Sequence, residues 1–339
     1  MITKKGKRLA TISSVAKEAK VSKTTVSRVL NHPQLVNQET KDKVNEVIKK
    51  QNFTPSYLAQ GMRKQQTKTI GVLIPEFANL YYADLLAQME TEAYNRGYTA
   101  IISAYGMDPE IGKKNILQFA NRQQIEGIVL PWYLSLKGHK TFFNQLSKIL
   151  PVILMDQGSP ALPFSSVRSN SYNGLRKLTR YIINKGHKEI IFIAGLKKYT
   201  IVGDRLRGFL DEMRENGLDP NEDYIEECDF TIAGGHTACN RILDRKKPTA
   251  IMCVNDVIAI GALMAVYERG YKVPADIAIS GYDNMPIAGD FYPPLTTVEE
   301  PIKKKVTAAL ELIIQKIEKK YSKNKHIVFD VDIIERASV

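Results

Sequence analysis

Few residues of the 339-residue chain are of the kinds that build disulfide or metal sites. The three cysteines, Cys228, Cys239 and Cys253, include no C-x-x-C pair, which favours buried thiols in a reducing compartment over a disulfide or zinc framework. The five histidines are scattered without metal-ligand spacing. The sequence therefore predicts no metal site and no cofactor.

Long hydrophobic runs are missing as well. No apolar run approaches the roughly 18 residues of a membrane-spanning helix, and no hydrophobic segment follows the basic residues at the start of the chain. We expect a cytoplasmic protein without a membrane partner. With 44% hydrophobic residues, the chain can bury the cores of two or three globular units.

The patterns of common enzyme classes are also missing. The chain has no G-x-S-x-G, no G-x-G-x-x-G after a strand and no G-x-x-x-x-G-K-[ST]. The aspartates at strand ends have no partnered nucleophile. We therefore expect that the protein is not an enzyme.

The positive charge is concentrated at one end of the chain. Residues 1–68 contain 15 Lys and Arg against 4 Asp and Glu, whereas the remaining residues contain 33 against 32. A charged surface that is merely solvated is the plainer interpretation. A segment with so large an excess of positive charge is nevertheless typical of a protein that binds a polyanion.

Within this segment, the apolar spacing predicts three helices. The first runs from about Ser13 to Ala19, the second is capped by Ser22, and the third begins after Asn37. Residues 21–31 read VSKTTVSRVLN, so one side of the second helix is apolar and the other carries hydroxyls, an amide and two cations. This pattern indicates a helix-turn-helix, whose second helix enters the DNA major groove.

From Thr69 onward, β-rich runs alternate with helical stretches. The runs cover residues 70–75, 99–103, 127–132, 151–156, 189–195, 249–255 and 276–283. Strands that are buried on both faces and separated by helices predict parallel, doubly wound sheets, which bind ligands at the carboxyl ends of their strands. Four residues that close such runs are candidate pocket residues: Trp132, Asp156, Asn255 and Asp283.

Several segments resemble the lactose-repressor/galactose-repressor family of bacterial transcription regulators. They are TISSVAKEAKVSKTTVSRVLN (11–31), GHKEIIFIAG (186–195), NDVIAIGALMAVYERG (255–270), ISGYDN (279–284) and PPLTTVEEP (293–301). The resemblance implies an α/β fold class with an N-terminal all-α helix-turn-helix headpiece. The core would resemble periplasmic binding proteins, with two doubly wound parallel-sheet subdomains joined by three crossover strands.

The resemblance also implies domain boundaries. The headpiece would cover residues 1–55, the hinge helix and linker residues 56–68, and the effector-binding and dimerisation core residues 69–339. The core would divide into an N-subdomain, 69–168 plus 302–325, and a C-subdomain, 169–301 plus 326–339. In the family, a C-terminal leucine heptad forms the tetramer. No such heptad follows Val339, so a homodimer is expected.

By position, the resemblance implies which residues contact DNA. Base contacts would come from Lys23, Thr24, Ser27, Arg28 and Asn31, with Thr11, Ser22 and Thr25 nearer to the phosphates. In the hinge, Ala59 and Met62 would reach the minor groove of a pseudo-palindromic operator. Met62 stands where the family wedges a leucine between base pairs, and Ser14 stands where the family usually has an acidic residue.

An effector in the core cleft would contact aromatic and polar side chains. By position these are Tyr81, Tyr82, Trp132, Asp156, Arg205, Phe230, Asn255, Asp283 and Glu300. Aromatic faces stack on sugar rings, while Asp, Asn and Arg bind paired hydroxyls. Three acids against one arginine favour a neutral polyol, which Arg205 and Asp283 are expected to approach from two directions.

The predicted function is a sequence-specific regulator that binds double-stranded DNA, a repressor of a carbohydrate-utilisation operon controlled by a small sugar-like effector. The alternative is a global regulator that is controlled mainly by a protein co-regulator. The missing signal peptide and the basic headpiece disfavour a sugar-binding protein or a sugar-acting enzyme. The sequence specifies neither the effector nor whether it induces or co-represses.

Overall fold

The computed structural model describes residues 10–51, 53, 67–77, 79–106, 108–121, 125–132, 138–157, 162–197, 199–320 and 323–339. The chain divides into two compact units, residues 1–67 and residues 68–339. No helix in the described ranges is long and apolar enough to cross a bilayer.

The N-terminal unit contains the three predicted helices, α1 (Ile12–Glu18), α2 (Lys23–Asn31) and α3 (Gln38–Gln51). Its core consists of Val15, Ala16, Val26, Val29, Val44 and Phe53. Each predicted cap is present, because the Ser22 hydroxyl accepts the Thr25 N–H at 3.0 Å and the Asn37 side chain accepts the Thr40 N–H at 2.9 Å.

The C-terminal unit contains two parallel sheets and one small antiparallel pair. Its strands are β1 (Thr69–Ile74), β2 (Thr99–Ala104), β3 (Gly127–Pro131), β4 (Val152–Met155), β5 (Ser165–Ser169), β6 (Ile190–Gly195), β7 (Ile225–Cys228), β8 (Ala250–Cys253), β9 (Ala278–Ser280), β10 (Thr297–Val298), β11 (His326–Phe329) and β12 (Ile333–Ile334). The first sheet has the order β11-β5-β4-β3-β1-β2 and the second the order β7-β6-β8-β9. β10 and β12 form the antiparallel pair.

Helices connect these strands, as the alternation in the sequence predicts. They are α4 (Leu80–Asn95), α5 (Pro109–Asn121), α6 (Lys140–Leu146), α7 (Ser171–Asn184), α8 (Thr200–Glu215), α9 (Ile232–Arg245), α10 (Asp256–Glu268), α11 (Pro286–Asp290) and α12 (Ile302–Ile317). Helix α12 packs against α4 and the first sheet, whereas α7 packs on α8 and α9 on α10 beside the second. The predicted α/β fold class is confirmed.

The chain passes between the two sheets three times, after β5, after β10 and after β11. One part of the expected subdomain division is wrong. We assigned residues 326–339 to the C-subdomain, but β11 pairs in parallel with β5, from His326 beside Ser166 to Phe329 beside Ser169. The last crossover therefore follows β11 and does not precede it, because the edge of the first sheet accepts one more strand.

Candidate functional site

Helix α2 presents a polar surface for recognition. Its apolar side is fixed by the buried Val26 and Val29, so Lys23, Thr24 and Arg28 are exposed on the opposite side. Lys23 and Arg28 have no ion pair with any residue that the structure describes. Their charges are therefore available to an external polyanion.

The other predicted headpiece contacts lie at the start of a helix, in the middle of α2, or outside the described side chains. Thr25 and Ser27 are half-buried, and the hydroxyls of Ser22 and Thr25 lie 2.8 Å apart at the start of α2. The side chain of Asn31 lies outside the described part of the chain, as do the hinge residues Ala59 and Met62.

Thr11 and Ser14 cap helix α1 reciprocally. The Thr11 hydroxyl accepts a hydrogen bond from the Ser14 N–H at 3.1 Å, and the Ser14 hydroxyl accepts one from the Thr11 N–H at 2.9 Å. Ser14 also donates to Gln51 Oε1 at 2.7 Å. Serine thus replaces the acidic residue of the family pattern by closing a capping box and tying α1 to α3.

A second candidate site is an open cavity where the carboxyl ends of both sheets meet, with about 530 Å³ of empty space that includes open solvent. It is lined by Pro75, Glu76, Asn79, Tyr81, Tyr82, Asp156, Tyr199, Ile201, Arg205, Phe230, Asn255, Asp283 and Glu300. The position agrees with the rule that open parallel sheets bind ligands beyond the carboxyl ends of their strands.

Eight of the nine predicted effector residues line this cavity, and Trp132 does not. Trp132 is fully buried, and its ring stacks on Tyr105 at 4.9 Å between centroids and meets Phe143 edge-on at 5.5 Å. A Cβ added at Gly112 would lie 2.9 Å from the ring, so this glycine of α5 leaves space for it. The expectation that Trp132 faces the cleft is wrong, because its side chain turns into the core of the first subdomain.

Arg205 of α8 is held by groups of the second sheet and the crossover. Its Nη1 donates to the Val254 carbonyl at 2.6 Å, and its Nη2 donates to Asp283 Oδ1 at 3.0 Å and to Glu300 Oε1 at 3.3 Å. Its guanidinium carbon lies 3.6 Å from the centroid of the Tyr282 ring. Arg205 and Asp283 therefore hold each other and do not approach a ligand from two directions as expected.

Lys305 of α12 neutralises the remaining acids and was missed by the sequence analysis. Its side chain is fully buried, and its Nζ donates to Tyr81 Oη at 2.9 Å, to Asp156 Oδ1 at 2.5 Å and to Glu300 Oε2 at 2.6 Å. Glu300 thus joins two cations, one from each side of the cleft. Lys305 lies on the apolar stripe of α12, between Ile302 and Val306, and this position was the available indication that its side chain is buried.

We call Asp156, Arg205, Asp283, Glu300 and Lys305 the cleft floor. Two of its residues have strained backbones, since φ is 63° at Asp156 and 108° at Asp283, and such positions cost roughly 1–3 kcal/mol each. The strain falls where β4 and β9 end and aims both carboxylates into the ion network.

Burial opposes the negative charge of the carboxyl groups on and behind the floor. Burial raises the pKa of Asp283 to about 7, against the opposing effect of Arg205. Behind it, burial and the charge of Asp283 raise the pKa of Asp256 to about 8. Asp256 accepts hydrogen bonds from the Thr297 hydroxyl at 2.6 Å and the Met285 N–H at 2.8 Å.

Five lining residues were not predicted: Pro75, Glu76, Asn79, Tyr199 and Ile201. Pro75 follows β1 as directly as Asp156 follows β4, and Glu76 is the next residue. The strand-end rule would therefore have found these two. Tyr199 and Ile201 lie at the start of α8, after a strand whose run ends in glycine.

Within the described ranges, no group of three or more His, Cys, Asp or Glu side chains is arranged to hold a metal ion. The three cysteines are buried, and burial raises the pKa of the Cys228 and Cys239 thiols to about 12. Their surroundings thus stabilise the neutral thiol and do not favour a metal-binding thiolate.

Comparison with known families gives two matches. Residues 11–56 match bacterial regulatory proteins of the lacI family, and residues 179–339 match a periplasmic binding protein-like domain. The chain is 34% identical over 338 residues to the HTH-type transcriptional repressor PurR of Histophilus somni strain 129Pt, covering 98% of this chain and 99% of the relative. It is 32% identical over 332 residues to the PurR repressor of Vibrio cholerae strain M66-2, covering 98% of each.

Solved structures of regulators have a fold similar to that of this chain. The Lac repressor dimer bound to operator and the anti-inducer ONPF is 25% identical and has a TM-score of 0.87, with 98% of this chain and 99% of that chain covered. The transcriptional regulator CelR in complex with cellobiose has the same fold, with 24% identity, a TM-score of 0.74 and coverage of 97% and 100%. The relatives are transcriptional repressors and not enzymes. This chain belongs to the lacI family of bacterial regulatory proteins and is a DNA-binding transcriptional repressor.

Proposed function

We propose that a small, sugar-like molecule in the core cavity controls the affinity of this repressor for its operator, and that the regulated genes serve carbohydrate utilisation. The observation that carries the proposal is the cavity itself. It combines the aromatic residues Tyr81, Tyr82, Tyr199 and Phe230 with buried polar groups from both sheets. Such walls suit a ligand that has one apolar face and many hydroxyls.

The cavity supports control because its walls come from two sheets. A ligand that bonds to both favours one relative position of the sheets, and it shifts the protein toward that state by its difference in affinity for the two states. The Lac repressor dimer, which was solved with operator and an anti-inducer, supports the same arrangement for this chain. We propose a homodimer on a pseudo-palindromic operator, acting in the cytoplasm where bacterial genes are transcribed.

For operator recognition, we propose base contacts from the exposed side of α2, namely Lys23, Thr24, Ser27, Arg28 and Asn31. Arg28 can bond guanine O6 and N7 with its fork of donors. Thr11, Ser22 and Thr25 would contact phosphates, and Ala59 and Met62 would bind the minor groove. The exposed cations of α2, which have no ion pair with a described residue, support this assignment.

The test begins with selection of the operator from a random DNA pool. Operator affinity is then measured by fluorescence anisotropy in the presence of sugars, amino sugars and sugar phosphates. We expect at least one of these molecules to change operator affinity by tenfold or more and to raise the melting temperature of the protein. If none changes either quantity, small-molecule control is wrong, and control by a protein co-regulator takes its place.

A further inference from the structure

One edge of the first sheet collects positive charge. The strands of this sheet are parallel, so the segments that lead into β1, β2, β3, β4 and β11 meet at its amino edge. In the described ranges, these segments contain two acids, Glu126 and Glu318. They contain seven cations, which we call the basic edge: Lys68, Arg96, Lys148, Lys319, Lys320, Lys323 and Lys325.

This excess of positive charge is confined to the basic edge. Residues 69–339 contain 33 Lys and Arg against 32 Asp and Glu, so the core has almost no net charge. At the amino edge of the second sheet, the segments that lead into β6, β7, β8 and β9 contain six cations and five acids. At the carboxyl edge of the first sheet, the described residues that follow the strands include acids and no Lys or Arg. A basic surface on an otherwise neutral unit is typical of a site that attracts a polyanion.

Only part of the basic edge is neutralised by neighbouring acids. Glu318 pairs with Lys320 at 2.7 Å and with Lys68 at 4.0 Å, and Arg96 pairs with acids of α4 and α12. Three exposed lysines have no ion pair with any residue that the structure describes: Lys148, Lys319 and Lys323. A lysine on a flexible stem contacts phosphates as a point charge. The charges of these three side chains are therefore available to an external partner.

The fold spreads the basic edge along a line. Lys325 is fixed beside β5, because its N–H donates to Ser165 Oγ at 3.1 Å and its carbonyl accepts the Ser166 N–H at 2.9 Å. The order β11-β5-β4-β3-β1-β2 then places Lys325 at one end of the line and Arg96, which precedes β2, at the other. Five strand spacings of about 4.8 Å make the line about 24 Å long. A duplex with a rise of about 3.4 Å per base pair covers that length with about seven base pairs.

The basic edge also lies where the core is joined to the headpiece. The N-terminal unit ends at Thr67, and Lys68 begins the C-terminal unit. Residues 54–67 join Phe53 of the headpiece core to Lys68, and even fully extended they span about 50 Å at most. A headpiece bound to DNA therefore keeps the basic edge at a high effective concentration near the same duplex.

We propose that the basic edge binds the phosphate backbone of the DNA that flanks the operator, so that the repressor covers more DNA than its headpiece reads. Contacts between lysine and phosphate carry no base specificity, so the sequence of the flanks would not matter. These contacts add affinity on long DNA and make that affinity more sensitive to salt.

The test uses the full chain and two DNAs: the operator at the length recovered by selection, and the same operator extended on each side by about ten base pairs of random sequence. Dissociation constants are measured by fluorescence anisotropy at several salt concentrations. The triple variant is Lys148→Gln, Lys319→Gln, Lys323→Gln. We expect the flanks to tighten binding about tenfold for the parent protein and less than about twofold for the triple variant. On the extended DNA, the slope of log affinity against log salt should be shallower for the triple variant, by about 3 for each subunit that contacts the flanks.

The matched control is the triple variant Lys188→Gln, Lys247→Gln, Lys272→Gln. These three lysines are exposed, have no ion pair with a described residue and precede strands at the amino edge of the second sheet. The control makes the same change in net charge and should keep the parental gain from the flanks. The inference is overturned if the flanks do not tighten binding by the parent protein, if both triple variants lose the gain equally, or if the first triple variant keeps it. The last result would leave the basic edge to an acidic protein in place of DNA.

Discussion

Charged residues are used in opposite ways in the two units of the chain. On α2, Lys23 and Arg28 are exposed and have no ion pair with a described residue. On the cleft floor, Arg205 and Lys305 are buried and each bonds two carboxylates. The cations that we propose to contact DNA have no ion pair with a described residue, whereas the cations that shape the cavity are paired with carboxylates inside the protein. Removing one of the first kind should cost binding, and removing one of the second kind should cost stability.

The largest expected effect comes from Lys305→Met. This change removes the cation of Asp156 and one of the two cations of Glu300, and loss of one partner of a buried ion pair costs about 3–5 kcal/mol. Urea unfolding of the full chain measures the loss. The control is Lys304→Met on the exposed side of the same helix, which should change stability by less than about 0.5 kcal/mol. Equal stability of the two variants would show that the floor does not depend on its ion pairs.

Arg28→Ala tests the other side of the comparison. We expect it to weaken operator binding by about 1–3 kcal/mol, because one forked base contact is lost, while urea stability stays unchanged. Anisotropy with operator and with random DNA at fixed salt separates base reading from charge. A loss of equal size on both DNAs would contradict a base-reading role.

The pH dependence of stability sharpens the account of the floor. The pKa of Asp256 is raised from its ordinary value of 3.8 to about 8 in the folded protein, so the folded state binds this proton more tightly than the unfolded state. The stability from this group is complete below about pH 4 and is lost as the pH rises through about 8. Between pH 6 and pH 9, the free energy of unfolding of Asp256→Asn, measured in urea, should therefore fall by about 1–2 kcal/mol less than that of the parent protein. Identical slopes for both proteins would contradict the raised pKa.

The smallest effect concerns the start of α2. Ser22→Ala removes the side-chain cap on the Thr25 N–H and should destabilise the helix by about 1 kcal/mol. Hydrogen exchange of the α2 amides measures this as a roughly fivefold loss of protection. Ser13→Ala, an exposed change within α1, should leave these amides unaffected. Unchanged α2 protection in Ser22→Ala would show that the cap does not hold the helix.

The sequence predicts positions better than it predicts directions of side chains. The strand-end rule correctly places Asp156, Asn255 and Asp283 at one cavity, because backbone periodicity determines where parallel strands end. The same rule fails for Trp132, whose ring turns into space left by Gly112 of helix α5. Packing of that kind depends on tertiary contacts that a local pattern does not contain.

The ion network shows the same limit. The sequence pattern places acids near strand ends. It does not show that Asp156 and Glu300 share Lys305, which lies 149 residues from Asp156 in the chain. The position of β11 was also missed, because an edge strand of a sheet carries half-buried residues and little hydrophobic pattern. Long-range pairing determined both features.

Phe230→Ala tests the central claim, that occupation of the cavity controls operator affinity, most directly. Phe230 is a half-buried wall of the cavity and belongs to neither the ion network nor the headpiece. Operator affinity is measured by anisotropy with and without the sugar or amino sugar that most raises the melting temperature of the parent protein. We predict parental operator affinity without that molecule and a response to it that is reduced at least tenfold, because one ring face of the site is lost. A folded variant that responds like the parent, or that loses operator binding without the ligand, would contradict the account.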